Sequence, residues 1–223
     1  MCGRFTLTVD PGQLQEAFPW ADIPEGIPLR YNIAPSQPAA VISNDGLNRV
    51  DFYNWGLIPF WAKDPKIGNR LINARAETLA EKPSFRGSFK YKRCLVLADG
   101  FYEWRKEPGT KTNTPMYLRM KHQEPFALAG LWDSWNSSDG SEIRTFTIIT
   151  TEPNPLVGKI HNRMPVILPQ IAYSEWLQEG ENDPSLLKSF LQPYPAEEME
   201  AYPVSRYVNS PQNDSPECII PTE

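Results

Sequence analysis

Proline limits the folds open to this chain more than any other feature. It accounts for 23 of 223 residues, about twice the usual share, and it is scattered rather than gathered in one tract. Each ring fixes its own φ, withholds a backbone donor and pushes the preceding residue towards extended geometry. Long helices and helical bundles are therefore disfavoured, and many rigid turns are expected. Between the turns run short apolar or alternating segments. AAVIS (39–43) and VDFYNWG (50–56) read as a hairpin through Asn44, Asp45 and Gly46, and Arg93 to Trp104 as one long strand with Leu95, Leu97 and Phe101 among its apolar positions. MYLRM, FALAGLW, TFTIIT and PVIL supply further strands. Helical stretches are short: residues 11–18, residues 74–82 ended by Pro83, and two near 172–178 and 184–192, while Pro59 to Asn73 reads as a loop. The expectation is a single α+β domain over residues 1–223, with a β-rich, barrel-like core and short peripheral helices.

Hydrophobic residues at 40% and charged residues at 22% fit an ordinary folded domain. No apolar run is long enough to span a bilayer, and MCGRFTLTVD lacks the basic-then-apolar layout of a secretory signal, so a cytoplasmic protein with no membrane partner is expected. The net charge of -5 hides an uneven distribution. Residues 60–95 carry nine basic side chains against three acidic ones, and residues 173–201 one basic against seven acidic. The first segment can attract phosphate despite the acidic whole, or it can be a solvated basic face without a ligand.

Cys2, Cys94 and Cys218 form no close pair, and His122 and His161 are the only imidazoles. Neither a disulfide framework nor a metal site is expected, and no cofactor. The common nucleotide, zinc-protease and serine-hydrolase strings are missing from the sequence.

Chemistry is suggested instead by Cys2, directly after the initiator Met. Once Met1 is removed, Cys2 presents an α-amine and a thiol on adjacent carbons. The amine's ordinary pKa of about 7.7 to 8.0 leaves an appreciable neutral fraction at pH 7, unlike a lysine. Such an amine condenses with an aldehyde to an imine, and the thiol then closes a five-membered thiazolidine. The alternative is that Cys2 is an incidental small residue at a chain end. Glu103 lies among aromatics in DGFYEW, where desolvation would raise its pKa and suit it to act as a general acid; a strand-end carboxylate paired with an Arg is the other reading. His161 in KIHNRMP suits proton transfer near neutrality, and Asn73 in INARAE is either a helix N-cap or an orienting group. Aromatic and basic residues alternate through Trp55, Trp61, Arg70, Arg75 and Arg86. Single-stranded nucleic acid is held by such mixtures, although Trp55 closes a strand and fits the core better, whereas Trp61 sits in a loop.

Taken together and in order, MCGRF, RYNIAPSQ (30–37), WGLIPFWAK (55–63), INARAET (72–78), LADGFYEW (97–104) and IHNRMPVIL (160–168) resemble the SRAP family, the SOS response-associated peptidases. VSRYVNSP (204–211) resembles its C-terminal signature. The resemblance implies a compact β-rich domain, a monomer, that processes abasic sites in single-stranded DNA after removing its own Met1. Carried over by motif, it makes Cys2 the nucleophile, Asn73 the group that orients the amine, Glu103 the acid and His161 the proton-transfer partner. It makes Arg4, Arg75, Arg86 and Arg163 contacts to phosphate, Trp61 the stacking residue beside the lesion, and Asn32 and Pro35 shapers of the pocket. Where the family often has a second aromatic after the tryptophan, this chain has Ala62. Two other classes stay open on the sequence: an N-terminal-nucleophile peptidase cleaving external amides, and a non-catalytic DNA-binding module.

Overall fold

The computed structural model describes residues 2–110 and 112–222. Thirteen strands are assigned among them: β1 (Phe5–Leu7), β2 (Arg30–Ile33), β3 (Pro38–Ser43), β4 (Val50–Trp55), β5 (Asn73–Arg75), β6 (Arg93–Ala98), β7 (Gly100–Lys106), β8 (Asn113–Met120), β9 (Phe126–Asn136), β10 (Glu142–Thr151), β11 (Met164–Pro165), β12 (Ile167–Leu168) and β13 (Met199–Pro203). The helices α1 (Pro11–Ala17), α2 (Arg86–Tyr91), α3 (Tyr173–Trp176) and α4 (Pro184–Ser189) are all short, as the prolines require. No helix of the described residues is long and apolar enough to cross a membrane.

Pairings β10–β4, β4–β3, β3–β6, β6–β9 and β9–β10 close a five-stranded ring, so the barrel expected from the sequence is present. A second sheet in the order β13-β8-β7-β1-β2 packs against it. Its seam includes Phe5 on β1, which meets Trp55 of β4 edge to face at 5.1 Å between ring centroids. In the ring, β3, β6 and the first half of β9 are apolar and buried almost throughout, because both of their faces are covered, whereas β4 alternates and turns Phe52 and Asn54 outward.

Several local expectations are corrected. Residues 93–104 are two strands, broken at the buried Asp99. Its carboxylate accepts the Thr8 N–H at 2.7 Å and the hydroxyls of Thr6 and Thr8. This break sends β6 into the barrel and β7 into the second sheet; uninterrupted burial on both sides hides it from the residue pattern. Residues 74–82 are not a helix. Asn73–Arg75 pair in parallel with Ile148–Thr150 of β10, turns follow, and the helix of this region starts after Pro83, at Arg86. Tertiary pairing here overrides the local Ala/Glu composition. The expected loop from Pro59 to Asn73 contains a 3-10 helix at Pro65–Arg70, capped by Asp64. The two helices of the acidic block are shorter than expected.

That block packs outside the barrel and is held there by Arg93, which is 0% exposed and donates to the carbonyls of Trp176, Phe89, Lys90 and Gln178. Lys90 and Lys92 are likewise paired, with Glu181 at 3.0 Å and Asp133 at 2.6 Å. Three of the nine basic side chains in residues 60–95 thus have partners within the protein, which narrows the free basic face to its earlier part.

Asn32 is a buried keystone for the C-terminal segment. Its Nδ2 donates to the carbonyls of Val208, Ser210 and Asn213, and its Oδ1 accepts Arg4 Nη1 at 2.8 Å. Asn32→Ala removes all four bonds; Val208 O keeps Arg4 Nη1, while Ser210 O and Asn213 O lose the Asn32 donor. We expect a loss of about 3 kcal/mol, read as a fall of roughly 6–12 °C in midpoint, with new protease cuts within residues 204–222.

Candidate functional site

The segment leading into β1 continues the β1–β7 ladder. Phe5 pairs with Phe101, and Tyr102 N donates to Arg4 O at 3.0 Å, which runs Cys2–Arg4 beside Tyr102–Trp104. Side chains alternate along β7: Phe101 belongs to the main core and Tyr102 to the smaller cluster with Val204, Val208 and Cys218. Glu103, two residues after Phe101, therefore lies on the barrel side of the strand. It is 3% exposed and sits mid-strand rather than at the strand end expected.

β10 positions the other two groups. Asn73 opens β5, which pairs along one edge of β10, and Met164 of β11 pairs with Thr151 at its far end, directly after the turn that holds His161. Asn73 is thus a strand residue and not a helix N-cap. Its Nδ2 donates to Cys2 O at 2.9 Å, while its Oδ1 is buried and accepts no hydrogen bond from the described residues. His161 Nδ1 lies 3.9 Å from Glu103 Oε1 and accepts the Arg163 backbone N–H at 3.1 Å. Cys2, Asn73, Glu103 and His161, distant in sequence, are therefore brought together.

Electrostatics divides their tasks. Burial pushes the Glu103 carboxyl up to about 7, so a large fraction holds a proton at neutrality. Burial holds the His161 imidazole below its usual value and hence neutral. The Cys2 thiol is raised, first by burial and then by the nearby Glu103 charge; kept protonated, it is a weak nucleophile. A proton donor, a neutral proton acceptor, an orienting amide and a poorly ionised thiol together suit carbonyl condensation led by an amine better than attack led by a thiolate.

The residues expected to contact DNA fall in several places. Trp61 is 47% exposed and, with Phe60, Arg86, Tyr91 and Lys92, lines a cavity of about 590 Å³ that none of the four residues above touches. Ala62, which follows Trp61, is buried, and its carbonyl accepts Trp135 Nε1 at 2.7 Å, so this position packs rather than stacks. Arg75 is exposed on β5, and Pro35 is half-buried. Arg4 is engaged by Asn32, Val208 O and Asn209 O and lies over the Trp104 ring. Arg163 meets a protein carboxylate first: its two Nη atoms reach Glu77 at 2.6 and 3.0 Å. The residue pattern gave Glu77 no role, although it stands inside the INARAET string. Among the described residues no cluster of three or more His, Cys, Asp or Glu side chains could hold a metal ion. Met1 lies outside the described residues.

A family model for SOS response associated peptidase (SRAP) matches residues 1–211. The abasic site processing protein YoqW of Bacillus subtilis is 52% identical, over 98% of this chain and 99% of its own. The abasic site processing protein HMCES of Gallus gallus is 33% identical, over 100% of this chain and 78% of its own. A crystal structure of a Bacteroides thetaiotaomicron protein superposes with a TM-score of 0.87 at 30% identity, covering 100% of both chains.

Proposed function

Since the chain belongs to the SRAP family, we propose that it processes abasic sites by capturing the ring-opened sugar of single-stranded DNA covalently at Cys2. The observation that carries this reading is the buried Glu103 carboxyl set beside His161 and against the segment that holds Cys2.

Hydrolysis of the Met1–Cys2 amide frees the Cys2 amine. Asn73 Nδ2 fixes the Cys2 carbonyl, and the unfilled acceptor Asn73 Oδ1 suits an amine hydrogen, which would aim the nitrogen lone pair. Glu103 gives its proton to the sugar ring oxygen as the hemiacetal hydroxyl loses its own, exposing the aldehyde. The amine adds to that carbon, and water leaves to form the imine. Sγ then adds to the imine carbon and its proton passes to nitrogen, closing the thiazolidine. This closure removes the imine, from which β-elimination would break the strand. Neutral His161 relays protons between these steps. The exposed Arg75 and Arg86 take phosphates and Trp61 a flanking base; Arg4 keeps its protein partners and acts through its fixed charge. The low thiolate character of Cys2 argues against a peptidase acting on external amides.

The test is incubation of purified protein with an abasic and an intact oligonucleotide, after intact-mass measurement of the terminus. The expected result is a heat-stable adduct with the abasic strand only, formed by protein lacking Met1. Protein that keeps Met1 yet cross-links equally well would refute the reading.

A further inference from the structure

We infer that Glu77 is a positioning residue for His161, holding Arg163 and with it the imidazole-bearing turn against the strand that carries Asn73. The inference rests on the reading of the site given above and extends it to a residue that touches none of the reacting atoms.

The chain of contacts is continuous. Glu77 follows β5 by two residues, and both of its oxygens accept from Arg163, at 2.6 and 3.0 Å. This two-point geometry fixes the guanidinium plane as a lysine could not. Arg163 Nη2 also donates to Thr150 O at 2.6 Å, so one side chain joins the turn after β5, strand β10 and its own loop. His161 Nδ1 then lies 3.1 Å from the backbone N–H nitrogen of Arg163 and 3.2 Å from its carbonyl oxygen, so the Arg163 backbone sets the ring's orientation. Arg163 is well covered, with 12% of its side chain exposed, whereas Glu77 is 45% exposed. Arg163 in turn holds the Glu77 carboxyl below the usual carboxylate range, so the pair persists through the working pH.

The charged groups acting on the ring are the chain's α-amine, Glu103 and Lys106 from β7, and Arg163 from its own turn, with Glu77 behind Arg163. They give a Glu77 substitution a diagnostic sign. If Glu77 holds the turn, its loss lets Arg163 and the ring move outward, and the ring gains water and sheds a neighbouring cation. The His161 midpoint then rises towards the ordinary value. If Arg163 stays in place without Glu77, an uncompensated positive charge remains beside the ring and the midpoint falls.

The experiment follows both imidazoles of the full-length protein by NMR titration, His122 serving as internal control, in wild type, Glu77→Ala and Glu77→Asp. The expected result for Glu77→Ala is an upward shift of His161 by about half a pH unit or more, largely reversed in Glu77→Asp. Adduct formation at saturating abasic oligonucleotide should fall about tenfold, with affinity for the intact strand within about twofold. A His161 midpoint that is unmoved or lowered in Glu77→Ala overturns the inference. Failure of the wild type to form any adduct would instead remove the proposed function, and the titration would still decide the role of Glu77.

Discussion

Cys2→Ala is expected to lower the yield of heat-stable adduct by about two orders of magnitude or more, because the nitrogen alone can form only a reversible imine. Cys2→Ser should do the same. Both small residues permit removal of Met1 by cellular aminopeptidase, so mass measurement can verify a free terminus before the assay. With borohydride present during incubation, both variants should give a trapped secondary amine with the abasic strand, which isolates the step that needs sulfur from the step that needs nitrogen. A heat-stable adduct from Cys2→Ala at the wild-type level would exclude thiazolidine closure. Loss of trapping as well as of the stable adduct would place sulfur, not nitrogen, at the first attack.

Glu103→Gln keeps the shape of the side chain but cannot release a proton, and general acid catalysis is worth about 10²–10⁴-fold. The rate of adduct formation should fall by about that much at pH 6. In the wild type the rate should decline as pH rises through about 7, where the carboxyl loses its proton; in the variant that decline should vanish. The substitution should affect stability in the opposite sense to rate. The folded-state pKa of Glu103 lies above the ordinary 4.5, so its contribution is fully present below about pH 4.5 and is lost as pH rises through about 7. Above pH 7 the buried carboxylate costs up to about 3 kcal/mol relative to a neutral side chain. Thermal melts should therefore show Glu103→Gln more stable than wild type at pH 8 by several degrees, with the gap closing towards pH 5. A variant that is slower and also less stable at pH 8 would mean that Glu103 is a structural carboxylate.

The arginines show how one residue type serves different ends. Arg93 appears in the sequence as part of a basic run, yet it is wholly buried and satisfies four backbone carbonyls. Arg75 and Arg86 stay exposed. Net charge along a segment is fixed by residue identity, but the sign of a surface depends on which of those charges the fold turns inward.

Much of the architecture was legible because it depends on local chemistry. Scattered prolines forbade long helices; the turn at Asn44–Gly46, with Gly46 at φ 79°, joins β3 to β4 as a hairpin; and Asp10 with Gln13 caps α1 as a helix start should. The candidate groups were legible for a similar reason: an N-terminal aminothiol, a carboxylate among aromatics and one of only two histidines are unusual in themselves. What the order of residues did not reveal was partnership across long separations. The break at Asp99 is made by Thr6 and Thr8, the strand at Asn73 by β10, and the occupation of Arg163 by Glu77. A chain specifies what each side chain can do by its covalent structure alone. Which donor meets which acceptor is settled only when burial removes water as the competing partner, and that happens only once the two sheets close on each other.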